Sequence, residues 1–389
     1  MEVYLDNSAT TRCYDAVRAY MDELYDREYG NPSSLHHKGV TAEQEVKKAR
    51  EIIAGTLKAD EKEILFTSGG TESDNLALFG TALQKSNARR GKHIVSTKIE
   101  HPAVLMPLKA LEERGYEITL LSPDETGVIS PESLKEAVRD DTILVSVMHT
   151  NNEIGSVQRI PELVRAAKEK NPAVLFHVDA VQGYGKERLF PKKWKVDLLS
   201  ASAHKLHGPK GVGFLYVADG VRLEPILYGG GQQKGLRSGT ENVQGIAGMA
   251  MAAAIVHEKL EEERERLFGL KEYLIGALRE LPGVARINGL QNDLSETAPH
   301  IVSVSFEAVR AEVLLHALEE KGIYVSSGSA CSSHKRAASE TLQAIGLNKP
   351  YLESTVRFSF STETTKEELL YTVTALKELL PMLSRFVRR

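Results

Sequence analysis

The chain has 389 residues, 42% of them hydrophobic and 26% charged, which is enough to bury a sizeable core and excludes intrinsic disorder. Its 49 Lys and Arg stand against 53 Asp and Glu, a formal charge of -4, so neither nucleic acid nor an anionic membrane is expected as main partner. The only cysteines, Cys13 and Cys331, exclude a disulfide framework and a Cys-rich metal site, and a reducing cytoplasm is the expected setting.

The amino terminus, Met1-Glu2-Val3-Tyr4-Leu5-Asp6, carries acids where a secretory signal places lysines. The longest nearly apolar segment, Gly245 to Val256, falls short of the roughly 20 residues that span a bilayer, so a soluble protein is expected. Thr41 with Gln44 spells a capping box for an early helix. From Ile64 to about Val217, short β-branched runs alternate with longer amphipathic ones, the pattern of a parallel sheet and its helices. The strands expected are Ile64 to Phe66, His93 to Ser96, Glu117 to Leu121, Thr142 to Met148, Leu175 to Val178, Leu198 to Ser200 and Val212 to Val217. Ser130-Pro131-Glu132 gives one intervening helix a cap, a first-turn proline and an acid facing its dipole.

Beyond Gly229-Gly230-Gly231, a charged helix from roughly Gln244 to Leu281, with a break expected near Phe268, leads into a second unit. That unit has strands near Ile301 to Phe306, Ile323 to Val325 and Thr355 to Phe360 and helices at Ala311 to Lys321 and Lys366 to Arg385, an α+β arrangement. The expected division is a large α/β domain over 13–256 and a smaller domain made of 1–12 and 257–389.

Three segments of the large unit carry chemistry. Phe66-Thr67-Ser68-Gly69-Gly70-Thr71-Glu72-Ser73 follows a strand and opens a helix, where free N–H groups and the helix dipole suit a phosphate; a plain Gly-Gly turn capped by Thr71 reads the same way. In His177-Val178-Asp179-Ala180-Val181-Gln182 an acid stands at the carboxyl end of a buried strand, placed either to cap the next helix or to keep a ligand's ring nitrogen protonated. Ser200 to Gly211 sets Lys205 among small residues, His204, His207 and turn-formers, which suits a lysine held for imine formation better than a solvated loop lysine.

In the smaller unit, Ser326-Ser327-Gly328-Ser329-Ala330-Cys331-Ser332-Ser333-His334 is a run of small residues that cannot pack a core. A tether of this kind suits a thiolate that must reach a substrate and withdraw; an incidental exposed thiol is the alternative. Arg357, in Thr355-Val356-Arg357-Phe358-Ser359-Phe360, falls on the strand face opposite Val356 and Phe358, as a surface arginine or as a fork for a carboxylate. Cys13 has no matching motif.

A phosphate cradle, an acid for a pyridinium and a lysine for an aldehyde make up the requirements of pyridoxal 5'-phosphate. With them the sequence resembles the class V aminotransferase family, and within it the cysteine desulfurases of iron–sulfur assembly. The likeness runs nearly end to end, through Tyr4 to Thr11, Gly30-Asn31-Pro32-Ser33-Ser34, Phe66 to Asn75, Glu100-His101, Asn151 to Gly155, His177 to Gln182, His204-Lys205, Gly229 to Thr240 and Ser326 to Cys331. It implies fold type I: a large domain with a mostly parallel mixed sheet flanked by helices, plus a smaller α+β domain.

The resemblance assigns Lys205 to the cofactor aldehyde, Asp179 to the ring nitrogen, and Gln182 and Asn152 to its phenolic oxygen. His101 matches the histidine that stacks on the ring and relays protons, although by itself it reads as a helix-start or core histidine. Gly70, Thr71, Ser202 and His204 match the phosphate site, with Thr240 reaching across from a second subunit of a homodimer. Gly70 stands where relatives often carry alanine, a change the backbone cradle should tolerate. Arg357 matches the grip on the substrate carboxylate, with Asn31 and Asn152 beside it.

The reaction implied is L-cysteine to L-alanine, with Lys205 as the base and the sulfur left on Cys331 as a persulfide for an acceptor protein, either a cluster scaffold or a thiolation enzyme. The chain ends at Arg389 without the longer tail with which some relatives dock a scaffold, so the acceptor stays open. Selenocysteine lysis and transamination are the rival activities, and a partner-docking module that keeps the cofactor structurally is the non-enzymatic one.

Overall fold

The structure, a computed structural model, describes residues 1–290, 293–327 and 339–386. Seven strands form the main sheet in the spatial order Ile64–Thr67, Gly213–Val217, Leu198–Ser202, Leu175–Asp179, Thr142–Met148, His93–Thr97 and Glu117–Leu121. Every pairing is parallel except the two made by Gly213–Val217, which runs antiparallel to both neighbours. Side-chain alternation gives this sheet two buried faces: Val95 and Val145 pack into one core while Ile94 and Leu144, one residue earlier, enter another. Helices Gly70–Leu83 and Pro102–Glu112 cover the second face, and His37–Leu57, Ile160–Lys170 and Val243–Glu258 contribute to the first.

A separate core gathers Val3, Leu5 and apolar residues between Leu267 and Leu380 around a four-stranded antiparallel sheet in the order Ser326–Ser327, Thr355–Ser359, Ile301–Phe306, Val284–Asn288. The amino terminus enters this core because Val3–Tyr4 pairs in parallel with Ile323–Tyr324. The following residues, Asp6 to Ser8, are hung on Ser359, whose carbonyl and hydroxyl accept from Asn7 and Ser8.

The expected strands all form, within about two residues of their bounds. Ser130 caps Pro131–Ala137 by accepting from Glu132 N and Ser133 N. Two local readings are corrected. The early helix begins at His37, capped by the His36 ring, and Thr41 sits inside it, donating to Lys38 O. The long charged helix breaks at Lys259, between Val243–Glu258 and Leu260–Arg279, and not near Phe268, which stays helical under the Arg264 guanidinium. The break falls where the Ala-rich, largely buried helix gives way to one with three glutamates in its first turn. Among the described residues no helix is long and apolar enough to cross a membrane.

Candidate active site

A cavity of about 420 Å³ opens at the carboxyl edge of the main sheet, the edge where open α/β sheets bind ligands. Met148, Asp179 and Ser202 close their strands at its floor; Gly70 and Thr71 open a helix into it. Asp6, Ser8 and Ala9 come from the amino-terminal segment, and Ser326 and Arg357 from the antiparallel sheet.

The end of the cavity expected to take a phosphate is built by close backbone approach. Gly69 precedes the helix at φ 152°, and a Cβ on Gly213 would lie 2.5 Å from Ala201 O and 2.7 Å from Gly69 Cα. Glu72 accepts from Ser68 N at 2.8 Å and is held by Arg237, also at 2.8 Å, so the turn before the helix is fixed while its first N–H groups stay free. His204, in the one-turn helix Ala203–Lys205, shares a hydrogen bond with Thr10 Oγ1, and burial beside Lys205 and Lys210 pushes its pKa down to about 4.

Lys205 Nζ donates to the carbonyls of Ser8, at 2.5 Å, and Ala9, at 2.7 Å. Gln182 Nε2 donates to the same Ser8 carbonyl at 2.8 Å. Asp179 satisfies both of its sequence readings, since Oδ1 accepts from Val181 N at 2.9 Å while the side chain lines the cavity. Burial pushes its carboxyl up; the Val181 N–H, His101 and Lys205 pull it back. His101 likewise caps the helix Pro102–Glu112 through Nδ1, which accepts from Ala103 N, and faces the cavity. Burial holds it below the usual histidine range, and with Nδ1 accepting, the neutral ring carries its proton on Nε2.

Arg357 is buried, with Nη1 donating to Asn152 O at 2.8 Å and Nη2 to Asp6 Oδ1 at 2.6 Å. The cavity thus brings together Gly70, Thr71, His101, Asn152, Asp179, Gln182, Ser202, His204, Lys205 and Arg357. It does not bring in Asn31, an exposed residue whose Oδ1 accepts from Ser33 N, or Thr240, also exposed. Cys331 lies outside the described residues.

Sequence reasoning did not single out Asp6, Ser8, Asp74 or Glu100. Ser8 acts here through its carbonyl, which leaves no residue-type signal. Asp74 was legible, one helical turn after Gly70 on the helix face that reaches the cavity. It is 1% exposed and 3.5 Å from His177 Nε2; burial, then the Asp179 charge, push its carboxyl well up. Glu100 accepts from Thr97 Oγ1 and Met148 N, and burial pushes it up to about 8.

The class-V aminotransferase family model matches residues 3–371. The chain belongs to the class-V aminotransferase family. It is 42% identical over 386 residues to the cysteine desulfurase IscS of Dictyoglomus turgidum, covering 98% of this chain and 95% of that one. A solved NifS-like protein superposes with TM-score 0.92 at 39% identity, covering 98% and 100% of the two chains. A structure titled SspA in complex with cysteine superposes with TM-score 0.81 at 33% identity, covering 93% and 100%. Pyridoxal 5'-phosphate is the cofactor of this family. The donor set fits it: helix N–H groups and hydroxyls at one end, a buried carboxyl on the floor, and a lysine amine and an amide at the other wall.

Proposed function

We propose that this chain is a pyridoxal-phosphate-dependent cysteine desulfurase in which L-cysteine and the Cys331 thiol yield L-alanine and a Cys331 persulfide. The observation that carries the reading is the convergence of Lys205, Asp179 and Arg357 on one cavity of suitable size. Bound there, the cofactor supplies an aldehyde for imine formation and an electron sink for the substrate α-carbon.

Each residue has a task. Gly70, Thr71, Ser202 and His204 hold the phosphate, and Asp179 holds the ring nitrogen. Gln182, pinned to Ser8, and Asn152 serve the phenolic oxygen. Lys205 would hold the cofactor aldehyde and supplies the amine that, when free and neutral, removes the substrate α-proton as base. Arg357 grips the α-carboxylate, and His101 relays protons through Nε2, which must give up its own proton before it takes that of the thiol, since Nδ1 accepts from Ala103 N. Cys331 begins five residues beyond Ser326, which lines the cavity, so extended chain of at most about 18 Å connects them. Its persulfide passes to a cluster scaffold or a thiolation enzyme. A homodimer would bring Thr240, and with it the exposed Tyr228 of the same loop, to the partner's site. Asn31 belongs to the substrate pocket in this reading. In this reading the chain divides into domains over 13–256 and over 1–12 with 257–389; the separate core of Val3, Leu5 and residues from Leu267 to Leu380 supports it, although Leu260 packs with the large unit. A reducing cytoplasm keeps the thiol available.

The test is incubation of the cofactor-loaded protein with sulfur-labelled L-cysteine, followed by mass spectrometry. Label on Cys331 and one alanine per sulfur are expected, with Cys331→Ser binding cofactor yet releasing no sulfide. Sulfide release undiminished in that variant, or keto-acid in place of alanine, would refute the reading.

A further inference from the structure

Arg357 meets an anion inside the cavity that belongs to the protein itself. Its Nη2 donates to Asp6 Oδ1 at 2.6 Å, and both side chains line the cavity that holds Lys205. The Arg357 side chain is 7% exposed and that of Asp6 23%, so the pair lies at the inner wall and not in open solvent. Nη1 is engaged by the Asn152 carbonyl, and Nε is buried without an acceptor among the described residues.

The pair is also built into the fold. Asp6 bridges in parallel to Ser359, two residues beyond Arg357 on the same strand. Asn7 Nδ2 donates to the carbonyls of Tyr4 and Ser359, and Ser8 N donates to Ser359 Oγ. The backbone of Asp6 is thereby fixed beside the strand that carries Arg357.

We propose that Asp6 is a specificity-determining residue: its carboxylate occupies the Arg357 donor that a substrate α-carboxylate needs, so that amino acids bind by exchange with it. A guanidinium recognises a carboxylate best through two parallel N–H groups. Here one of the two N–H groups on each terminal nitrogen is engaged, by Asn152 O and by Asp6, so a ligand carboxylate that docks on the fork either takes over the N–H bound to Asp6 or shares Nη2 with it. Sharing places two anions on one cation, which disfavours the complex. The exchange weakens binding of every monocarboxylate and sets a threshold: a ligand without a carboxylate gains nothing at Arg357. This inference rests on the reading of Arg357 as the carboxylate grip.

The experiment uses the cofactor-loaded protein and L-alanine, which has the carboxylate and amine but no sulfur, and follows binding by the change in cofactor absorption. Asp6→Asn keeps the size of the side chain and removes its charge. It should bind L-alanine at least threefold more tightly than the unaltered protein, Asp6→Glu should return the dissociation constant to within twofold, and the gain should vanish in an Arg357→Gln background. If Asp6 merely props Arg357 in place, Asp6→Asn binds more weakly; that result, or an unchanged constant, overturns the proposal. Should Asp6→Asn fold poorly, Asp6→Ser gives the same charge removal at smaller volume and the same expectation. Absence of any L-alanine response in the unaltered protein would instead refute the functional reading beneath it.

Discussion

Gly213→Ala should damage both stability and cofactor binding, because the added methyl has nowhere to go. Gly213 opens the antiparallel strand of the main sheet and pairs with both Ser202 and Thr67. Its new Cβ would meet Ala201 O at 2.5 Å and Gly69 Cα at 2.7 Å, both backbone atoms that cannot rotate away. Overpacking costs about 1–3 kcal/mol, and two backbone collisions place this substitution at about the upper end of that range. The strain would fall on Gly69, immediately before the helix whose N–H groups face the cavity, so cofactor affinity should drop with stability. Gly70→Ala is the control. Its Cβ would approach Val181 Cγ2 at 2.6 Å, a side-chain tip, with Ser202 Cβ at an ordinary 3.7 Å. The expected tolerance at Gly70 therefore depends on Val181 moving: a cost of under about 1 kcal/mol, relieved by Val181→Ala. Urea unfolding of the cofactor-free proteins and an absorption titration with pyridoxal phosphate measure the two effects. The reasoning fails if Gly213→Ala stays within about 0.5 kcal/mol of the unaltered protein, the scatter of ordinary surface changes, or if Gly70→Ala is the more damaging of the two.

Two further outcomes follow from the buried acids. Burial raises the Glu100 carboxyl to about 8, against about 4.3 in an unfolded chain, so between those values the folded state holds a proton that the unfolded state has lost. Stability from this group is full below the lower value and lost as pH rises through the upper one. Glu100→Gln keeps an acceptor for Thr97 and Met148 and should flatten the decline between about pH 5 and pH 8; urea midpoints that keep their full pH slope would contradict it. Asp179→Asn removes the floor charge while leaving an acceptor for Val181 N. A hydrogen bond to a charged group is worth about 1.5–3 kcal/mol, so pyridoxal phosphate should bind roughly ten- to a hundredfold more weakly, and an unchanged titration curve would exclude the ring-nitrogen role.

The periodicity of the sequence gave access to the strands because a two-sided buried sheet is written in short β-branched runs, and Glu117–Leu121, Thr142–Met148 and Ile301–Phe306 have the expected bounds. Strand order, and the reversal of Gly213–Val217, depend on tertiary pairing that no local pattern encodes. The helix start at His37 was hidden because histidine is a rare cap and Thr41–Gln44 imitates a common one. In the site, His101, which by itself reads as a helix-start or core histidine, was reached only through the family resemblance, whereas Lys205 and Asp179 were readable from their places beside strand ends. The partners that define their geometry were not: Ser8 offers a carbonyl, and Asp6 meets Arg357 across 351 positions.

The three buried acids also bear on why the floor of the site works as it does. Burial pushes Asp74, Glu100 and Asp179 all up; the Asp179 charge raises the other two further, and Glu100 adds to the rise at Asp74. Of the three only Asp179 faces a lysine, Lys205, whose charge together with His101 and the Val181 N–H pulls its carboxyl back down. His177, held between Ser146 and Ser200 and pushed down to about 3, brings no charge to Asp74. Lys205 and the Val181 N–H thus favour the charged form of Asp179, while burial and the Asp179 charge disfavour that of Asp74 and Glu100. In the proposed reading a protonated ring nitrogen would add a further cation beside Asp179, so cofactor binding and ionisation of Asp179 would reinforce each other. Ionising either neighbour would set a second anion against the same partner, which is why the fold keeps those two carboxyls sealed from solvent.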